Sequence, residues 1–360
     1  MDKILSLLIG CIIIFLPLYT RFSSVNIDRV SKALFLLLLI PIIQLIQIKK
    51  IREFPVEMKA GFIACILHMI IFQFEPASFS GIFSSIATSL GMILLVKYHE
   101  SYKNEEIILN SLVVASLIQC VISFSQYMGF DIYANSILLL NKEVSLHVNE
   151  TNTFGSFANS NLFGSFLALC LPAFFRKKVL YLAPIVLIFI LLSKSIMAIA
   201  ATLAGVLMFF KKYLEKYLYI SFPFLIALGI YLFPSESSGR IELWDGLINR
   251  IDISHFIFGK SQSWFDSLEL KIGSEFINNE HNEFLSVFNI FGIFGLLFFI
   301  YLFTKVIENK GKNLLFGCIT LVSFVNMLGN FPLHYAPTAL IIIISLAHCI
   351  KGDYVSNLDR

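Results

Sequence analysis

Twelve apolar runs follow one another along the sequence, and they limit what the chain can fold into. They lie near 4–19, 33–48, 60–74, 81–96, 107–128, 154–175, 179–192, 196–210, 218–233, 284–303, 314–330 and 336–350. Hydrophobic residues make up 57% of the chain and charged residues 14%, and one soluble domain cannot bury so much apolar surface. A membrane-crossing helix needs about 20 mostly apolar residues. The sequence predicts an all-α, polytopic transmembrane bundle of about 12 spans, with 1–360 as a single integral membrane domain.

The distribution of lysine and arginine predicts the orientation of these spans, because cytoplasmic loops carry the excess of basic residues. With the N-terminus inside, 18 of the 27 basic residues fall on the cytoplasmic side and 9 on the other. We therefore expect both termini in the cytoplasm. The small net charge of +3 gives no indication of nucleic-acid binding.

One predicted outer segment, 234–283, is much longer than most connections and carries 4 basic and 9 acidic residues. Within it, Ser237-Ser238-Gly239 is typical of a helix start, and Ile241, Trp244, Leu247, Ile248 and Ile251 follow at helical spacing. This pattern predicts a large outer loop with a short amphipathic helix that lies on the membrane surface or on the bundle.

Two positions in this loop are candidates for chemistry. Arg240 is expected in the first turn of the predicted helix, where a helix N-terminus and a guanidinium fork both favour phosphate. His281 stands in Asn279-Glu280-His281-Asn282-Glu283, before the tenth run, where an imidazole can move a proton near neutral pH. The alternatives are a solvated or headgroup-facing arginine and a histidine at a helix end.

Four further residues lie at predicted outer ends of other spans. Asn159 and Asn161 can bind sugar hydroxyls or cap a helix. Lys194 can reach a phosphate or extend to the membrane interface. His334 lies between the last two runs. Because Asn159, Lys194, Arg240, His281 and His334 come from five segments on one predicted side, we expect an outward-facing polar pocket.

The six cysteines all lie inside apolar runs, so they read as packing residues rather than as a disulfide framework or a zinc site. Glu280 and His281 are adjacent and do not share a helix face, which argues against a metal pair. We therefore expect no metal and no cofactor.

Several stretches resemble the O-antigen ligase/polymerase family of bacterial membrane glycan transferases. The likeness covers roughly residues 150–340 and lies in Phe154–Asn161, Ser238-Gly239-Arg240 with Trp244, Ile257-Phe258-Gly259, His281–Leu285 with Phe291–Leu296, and Phe331-Pro332-Leu333-His334. Many members have Ser-Arg at the start of a later helix, where this chain reads Ser193-Lys194-Ser195. The N-terminal 130 residues match only in hydropathy.

The resemblance implies a metal-independent glycosyltransferase of the bacterial inner membrane, active on the periplasmic side in polysaccharide or lipopolysaccharide biosynthesis. Its donor would be an undecaprenyl-diphosphate-linked glycan, and its acceptor the hydroxyl of another glycan or of lipid A–core. His281 and Arg240 would be catalytic, and Lys194, Asn159, Asn161, Asn282, Trp244 and His334 would bind substrate. A chain-length regulator or other assembly proteins are candidate partners besides membrane lipid.

Within the family, a polymerase joins repeat units on the carrier, whereas a ligase moves the finished glycan to its final acceptor. The sequence does not separate the two, and the short, divergent chain slightly favours a polymerase. A polysaccharide transporter or lipid-linked-sugar flippase is the alternative, and it would require an internal repeat, paired intramembrane charges or broken helices.

Overall fold

The computed structural model describes two compact units of mainly helical structure. The residues described are 2–19, 105–130, 132, 153–157, 159–210, 234–260, 262–268, 270–272, 275–276, 282–309, 314–330, 332–334 and 336–350. The predicted runs 33–48, 60–74, 81–96 and 218–233 lie outside them. The other eight runs all coincide with helices, so the all-α prediction is confirmed for this part of the chain.

The first unit is built from seven described α-helices and three 3-10 helices. The α-helices are α1 (Asp2–Tyr19), α2 (Glu105–Tyr127), α3 (Ser160–Cys170), α4 (Ala183–Leu192), α5 (Ile196–Phe209), α10 (Leu314–Met327) and α11 (Ala336–Ile350). The 3-10 helices are Leu171–Phe175, Leu180–Leu182 and Pro332–His334.

The second unit includes residues 234–305. It contains α6 (Pro234–Ile248), α7 (Ile253–Phe258), α8 (Gln262–Ser267) and α9 (Glu283–Asn309), of which α9 belongs to it as far as Lys305. A two-residue antiparallel ladder, β1 (Lys271–Ile272) with β2 (Glu275–Phe276), is the one departure from helix among the described elements.

Helix α3 forms the core of the first unit. Every residue from Leu162 to Cys170 is buried, and α3 contacts α2, α4, α5, α10 and α11. Its apolar run begins at Phe154, but the helix begins only at Ser160, because Asn159 adopts extended backbone and caps it. The start of α3 is therefore fixed by the Asn159 cap, and the body of the helix packs against five other helices.

Helix α2 buries polar as well as apolar residues. Its buried polar residues are Ser111, Ser116, Gln119, Ser123, Ser125 and Gln126. Val121 and Phe124, in contrast, are 61% and 55% exposed. The predicted membrane setting accounts for both features, because in lipid apolar side chains can point outward and polar groups must find partners inside.

Helix α2 is also the one described helix that is long and apolar enough to cross a membrane by length and composition. The other described helices contain shorter apolar stretches, such as Ile196–Phe209 and Leu314–Met327. The number of about 12 spans therefore remains a prediction.

The second unit has an apolar centre of its own. Leu243 and Leu247 of α6 and Phe265 of α8 are fully buried, and Trp244 and Trp264 pack against them. The face predicted for this helix was partly wrong: Leu243 points inward, whereas Ile248 is more than half exposed. The side chains that α6 buries are selected by packing against α8, which helical spacing alone cannot reveal.

Candidate functional site

A short loop before α3 is held in place by two glutamines of α2. Gln126 Oε1 accepts hydrogen bonds from the backbone N–H groups of Phe154 and Gly155 at 3.1 and 3.0 Å, and Gln126 Nε2 donates to Gly155 O at 2.7 Å. Gln119 Oε1 accepts from Ser156 N at 2.9 Å. Because these groups are buried, the amides set the path of the backbone into α3.

The two asparagines predicted to bind sugar stand at the start of α3. Asn159 Oδ1 accepts hydrogen bonds from Asn161 N at 2.8 Å and from Leu162 N at 3.3 Å. The capping alternative therefore describes what Asn159 does locally. A sugar contact by this exposed residue would have to use its Nδ2 group, while Asn161 lies partly exposed one residue into the helix.

Lys194 occupies a tight turn between α4 and α5. Its φ is +56°, and it is the one non-glycine residue with positive φ among the residues described. The turn is fixed by its neighbours, since Ser193 Oγ donates to Ile190 O at 2.6 Å and Ser195 Oγ accepts from Ala198 N at 3.4 Å. A lysine in this conformation is strained by roughly 1–2 kcal/mol, and its side chain is exposed.

This turn is pressed against the first half of α3 at Gly164. A Cβ at position 164 would collide with Ser193 Oγ and meet Ser195 Cβ at 3.0 Å. The 3-10 helix Pro332–His334 also contacts α3. Three of the segments predicted to share a site, carrying Asn159, Lys194 and His334, are thus brought together around one helix.

A buried polar cluster that sequence reasoning missed connects α3 with the end of α10. Ser165 Oγ donates to Asn326 Oδ1 at 3.0 Å and accepts from Asn330 Nδ2 at 3.0 Å. Asn330 stands two residues before the Pro332–His334 helix, and all three side chains are buried. The only sequence signal was the pair Asn326 and Asn330 at helical spacing at the end of an apolar run.

The remaining candidates belong to the second unit. Helix α6 begins at Pro234, so Arg240 is its seventh residue rather than a first-turn residue as expected. Proline fits the first helical position because its φ is preset and its missing N–H is not needed there. The helix N-terminus therefore does not add to the anion preference of Arg240. Trp244 packs on the buried cluster of α6 and α8.

Asn282 is the cap of α9. Its Oδ1 accepts hydrogen bonds from Phe284 N at 2.9 Å and Leu285 N at 3.1 Å, and Glu283 beside it is buried. His281 lies outside the described residues, although in sequence it directly precedes this cap. The proton-transfer role of His281 therefore remains a prediction.

Helix α9 is broken at Gly292, where φ is +64°. A Cβ at Gly292 would overlap the carbonyl of Ile257, and a Cβ at Gly259 would overlap that of Ile290. Gly259 also has a positive φ, of +78°, so both positions need glycine for conformation and for close approach. The motifs Ile257-Phe258-Gly259 and Phe291–Leu296 thus meet backbone to backbone.

A carbonyl close to the break accepts a hydrogen bond from the preceding segment. The N–H of Lys260 donates to Asn289 O at 2.6 Å, a carbonyl that residue 293 would serve in an unbroken helix. The residues that follow α7 are therefore hydrogen-bonded to α9.

Two charged residues, Asp252 and Lys260, flank α7 and contact each other. Asp252 caps it by accepting from His255 N at 2.7 Å and from Ser254 Oγ at 2.6 Å, and Lys260 Nζ lies 3.4 Å from Asp252 Oδ2. The hydrogen bond from Ser254 is the largest of the effects that lower the pKa of Asp252 to about 2. Asp252 is thus ionised under all ordinary conditions.

His255, like the cluster of Ser165, Asn326 and Asn330, was missed by sequence reasoning. Its imidazole is fully buried, with its centroid 4.2 Å from that of Trp264 and 6.1 Å from that of Phe288. Burial lowers the pKa of His255, an effect that the neighbouring Asn289 opposes. The ring is therefore a neutral packing group that joins α7, α8 and α9.

In the part of the chain that is described, no three His, Cys, Asp or Glu side chains converge to hold a metal ion. No family model, no curated protein and no solved structure matches this chain.

Proposed function

We propose that this protein is a membrane glycosyltransferase that moves an undecaprenyl-diphosphate-linked glycan onto an acceptor hydroxyl at the periplasmic side of a bacterial inner membrane. The observation that carries the proposal is the convergence on α3 of the Asn159 cap, the Lys194 turn and the 3-10 helix ending at His334. Sugar hydroxyls can be bound by an amide or an imidazole, and a diphosphate by a cation.

The membrane setting is supported by α2, which buries Gln119, Gln126 and several hydroxyls while Val121 and Phe124 are exposed. We propose a bundle of about 12 spans with both termini in the cytoplasm, as the apolar runs and the basic residues predict. A polyprenyl tail requires an apolar surface open to lipid, and a helical bundle offers one.

In the proposed reaction, a glycosyl–phosphate bond breaks while a bond forms between the anomeric carbon and the acceptor oxygen. Lys194 and Arg240 hold the diphosphate and stabilise the charge that develops on it as it leaves. His281 accepts the proton of the acceptor hydroxyl. Asn159, Asn161, Asn282, Trp244 and His334 contact the glycan.

Two acceptors satisfy this chemistry, and we slightly favour the polymerase, in which the acceptor is another lipid-linked repeat unit. The surface glycan of a deletion strain distinguishes the two. Loss of all bands above one repeat unit indicates a polymerase. Free lipid-linked polymer together with unmodified core indicates a ligase.

A transporter or flippase for lipid-linked sugar is the second candidate, because the break in α9 at Gly292 is a feature typical of transporters. In transporters, however, such breaks free backbone groups for ions or substrate. Here the carbonyl of Asn289, just before the break, accepts a hydrogen bond from Lys260 N, and the glycine at the break meets the backbone of Ile257. The break is thus a place where α9 is packed against its own chain, which favours the transferase.

Purified full-length protein with a defined undecaprenyl-diphosphate glycan tests the proposal. We expect release of the carrier diphosphate together with a lengthened glycan. General acid–base catalysis typically contributes about 10²–10⁴-fold, so His281→Ala should slow turnover by that order while donor binding persists. His281→Gln is the matched variant, since it keeps hydrogen bonding without proton transfer. Transport of intact donor across vesicles without diphosphate release would establish the alternative.

A further inference from the structure

Three buried side chains form one hydrogen-bonded cluster between α3 and the chain that follows α10. Ser165 Oγ donates to Asn326 Oδ1 at 3.0 Å and accepts from Asn330 Nδ2 at 3.0 Å. All three residues are too deeply buried to touch a substrate. Because a hydroxyl has a single proton, its bond to Asn326 leaves it as the acceptor for Asn330. The cluster therefore fixes how both amides are oriented relative to α3.

The cluster lies beside the start of the 3-10 helix Pro332–His334. Asn330 precedes this helix by two residues, and its backbone N–H donates to Asn326 O at 2.9 Å. From the other side, Thr338 Oγ1 of α11 donates to Pro332 O. The 3-10 helix also contacts α3, α10 and α11. Its position is thus determined by two anchors, one at Asn330 and one at Thr338.

The residue before Ser165 in α3 faces a different segment. A Cβ at Gly164 would collide with Ser193 Oγ, so α3 packs closely against the turn that carries Lys194. Adjacent residues of an α-helix point about 100° apart. Gly164 therefore faces the Lys194 turn while Ser165 faces the cluster, and α3 links the positions of both segments.

We propose that Ser165 and Asn330 are positioning residues, which set where the glycan contact at His334 stands relative to the diphosphate contact at Lys194. The inference rests on the proposed function, in which His334 binds the glycan and Lys194 binds the carrier diphosphate. Buried polar networks specify one arrangement of the groups that they join. A cluster at the start of a substrate-binding segment thereby keeps that segment in place without contacting the substrate.

The alternative is that the cluster only joins α3 to α10, since serine and asparagine commonly form hydrogen bonds between membrane helices. Two observations favour positioning. Asn330 lies three residues beyond the end of α10 at Met327, so its bond attaches the connecting chain to α3. In addition, Asn326 Nδ2 is buried without a hydrogen-bond partner among the described residues. Stability alone would favour apolar side chains of similar size there.

Ser165→Ala separates the two roles, because the amides can still pair with each other. Asn330 Nδ2 stands 3.5 Å from Asn326 Oδ1, and a normal bond of about 2.9 Å between them draws Asn330 from its place beside residue 165. The variant thus releases the 3-10 helix from α3 while the amides stay paired. Ser323→Ala is the matched control, since Ser323 is a buried serine of α10 whose Oγ donates to Ile319 O at 2.7 Å within that helix.

Glycan transfer by purified full-length protein tests the inference. The substrate is the lipid-linked glycan that accumulates in the deletion strain, and free undecaprenyl diphosphate is the competing inhibitor. Misplacing a group by about 1 Å can cost about 10²-fold, so the smaller shift in Ser165→Ala should lower kcat/KM by roughly tenfold. Inhibition by undecaprenyl diphosphate should be unchanged, because Ser193 and Ser195 hold the Lys194 turn.

A double-mutant cycle shows whether the cluster acts through residue 334. In a His334→Ala background, the further change Ser165→Ala should have no effect, because the group that it positions is already absent. Ser323→Ala should have wild-type kinetics in both backgrounds.

Each contrary result has a distinct meaning. An equal loss from Ser165→Ala in both backgrounds, or weaker inhibition by undecaprenyl diphosphate, would show that the cluster only joins helices. Either result would overturn the inference, as would unchanged kinetics of Ser165→Ala or His334→Ala, or an equal loss in Ser323→Ala. In all these cases, transfer by the wild-type protein would leave the proposed function intact. A wild-type protein that transfers no glycan would overturn both.

Discussion

Helix α2 of the first unit and helices α6 and α8 of the second bury different kinds of side chain. In α2, Gln119 and Gln126 are buried among apolar residues and Val121 is exposed. In α6 and α8, Leu243, Leu247 and Phe265 are buried, while charged residues such as Glu242 and Asp245 are exposed. The comparison teaches that one chain holds two kinds of interior, one that includes buried amides and one that is apolar.

The consequence concerns what stabilises each region. In the proposed membrane setting, apolar burial around α2 gives little, because lipid is as apolar as the interior, and buried hydrogen bonds fix the structure. Around α6, the transfer of leucine and phenylalanine out of water is the main favourable contribution. Substitutions that probe hydrogen bonds should therefore act in the first unit, and substitutions that probe shape in the second.

The largest effect is expected from Gly259→Ala. The new Cβ overlaps the carbonyl of Ile290 and stands on a backbone with φ of +78°, so we expect a loss of about 3 kcal/mol or more of stability. Gly129→Ala is the matched control, because Gly129 has the same φ of +78° with no neighbouring atom within 4 Å. Thermal unfolding in detergent should show a large decrease for the first variant and a small one for the second. Equal decreases would mean that strain alone matters at Gly259.

The next effect is expected from Gln126→Leu in the first unit. This change removes the three hydrogen bonds to Phe154 and Gly155 and leaves buried backbone groups unsatisfied, at a cost of about 1–3 kcal/mol. Ser123→Ala is the control on the same buried face, since Ser123 Oγ has no hydrogen-bond partner among the described residues. A melting temperature that falls equally in both variants would contradict a hydrogen-bonded interior.

Lys194 allows charge and strain to be separated. Lys194→Gly relieves a left-handed backbone and should stabilise the protein by roughly 1 kcal/mol, yet it removes the cation and should lower glycan transfer. Lys194→Ala should lower transfer without the gain in stability, and Lys194→Arg should retain transfer. Turnover and melting temperature are measured on the same samples. Full activity of Lys194→Gly would remove this residue from the diphosphate site.

The smallest effect is a pH dependence confined to the second unit. Burial lowers the pKa of His255 in the folded protein, so the unfolded chain binds a proton first as the pH falls below its ordinary value of about 6.5. Stability should therefore be constant above that pH and decline below it. Hydrogen exchange of α7 at pH 7 and pH 5 measures the decline, which His255→Phe should abolish. An unchanged decline in that variant would point to other groups.

Much of the helical structure could be predicted because apolar runs record the lengths of buried or lipid-facing helices. The run at 314–330, for instance, lies on Leu314–Met327. The break in α9 could not be predicted, since Gly292 and Gly295 look alike in sequence. Of the two, only Gly292 lies against the backbone of a distant segment, at Gly259, 33 residues upstream. Long-range contacts of this kind leave no local pattern.

The candidate site likewise combines local features, which the sequence predicts, with long-range contacts, which it does not. Asn159 at a helix start is a local signal, and its cap is observed. The cluster of Ser165, Asn326 and Asn330 joins positions more than 160 residues apart, so no spacing rule reveals it. His255 was overlooked because a histidine in a short amphipathic stretch looks like a surface residue until Trp264 and Phe288 are seen to enclose it.

The hydrogen bond from Lys260 to Asn289 also orders events during biosynthesis. The ribosome completes residues 253–260 well before it makes Asn289, so the donor exists before the acceptor that needs it. The contact between the segment after α7 and α9 can therefore form only once the chain has been made through Asn289. The order of synthesis thus places the docking of α7 after the first turns of α9 have been made.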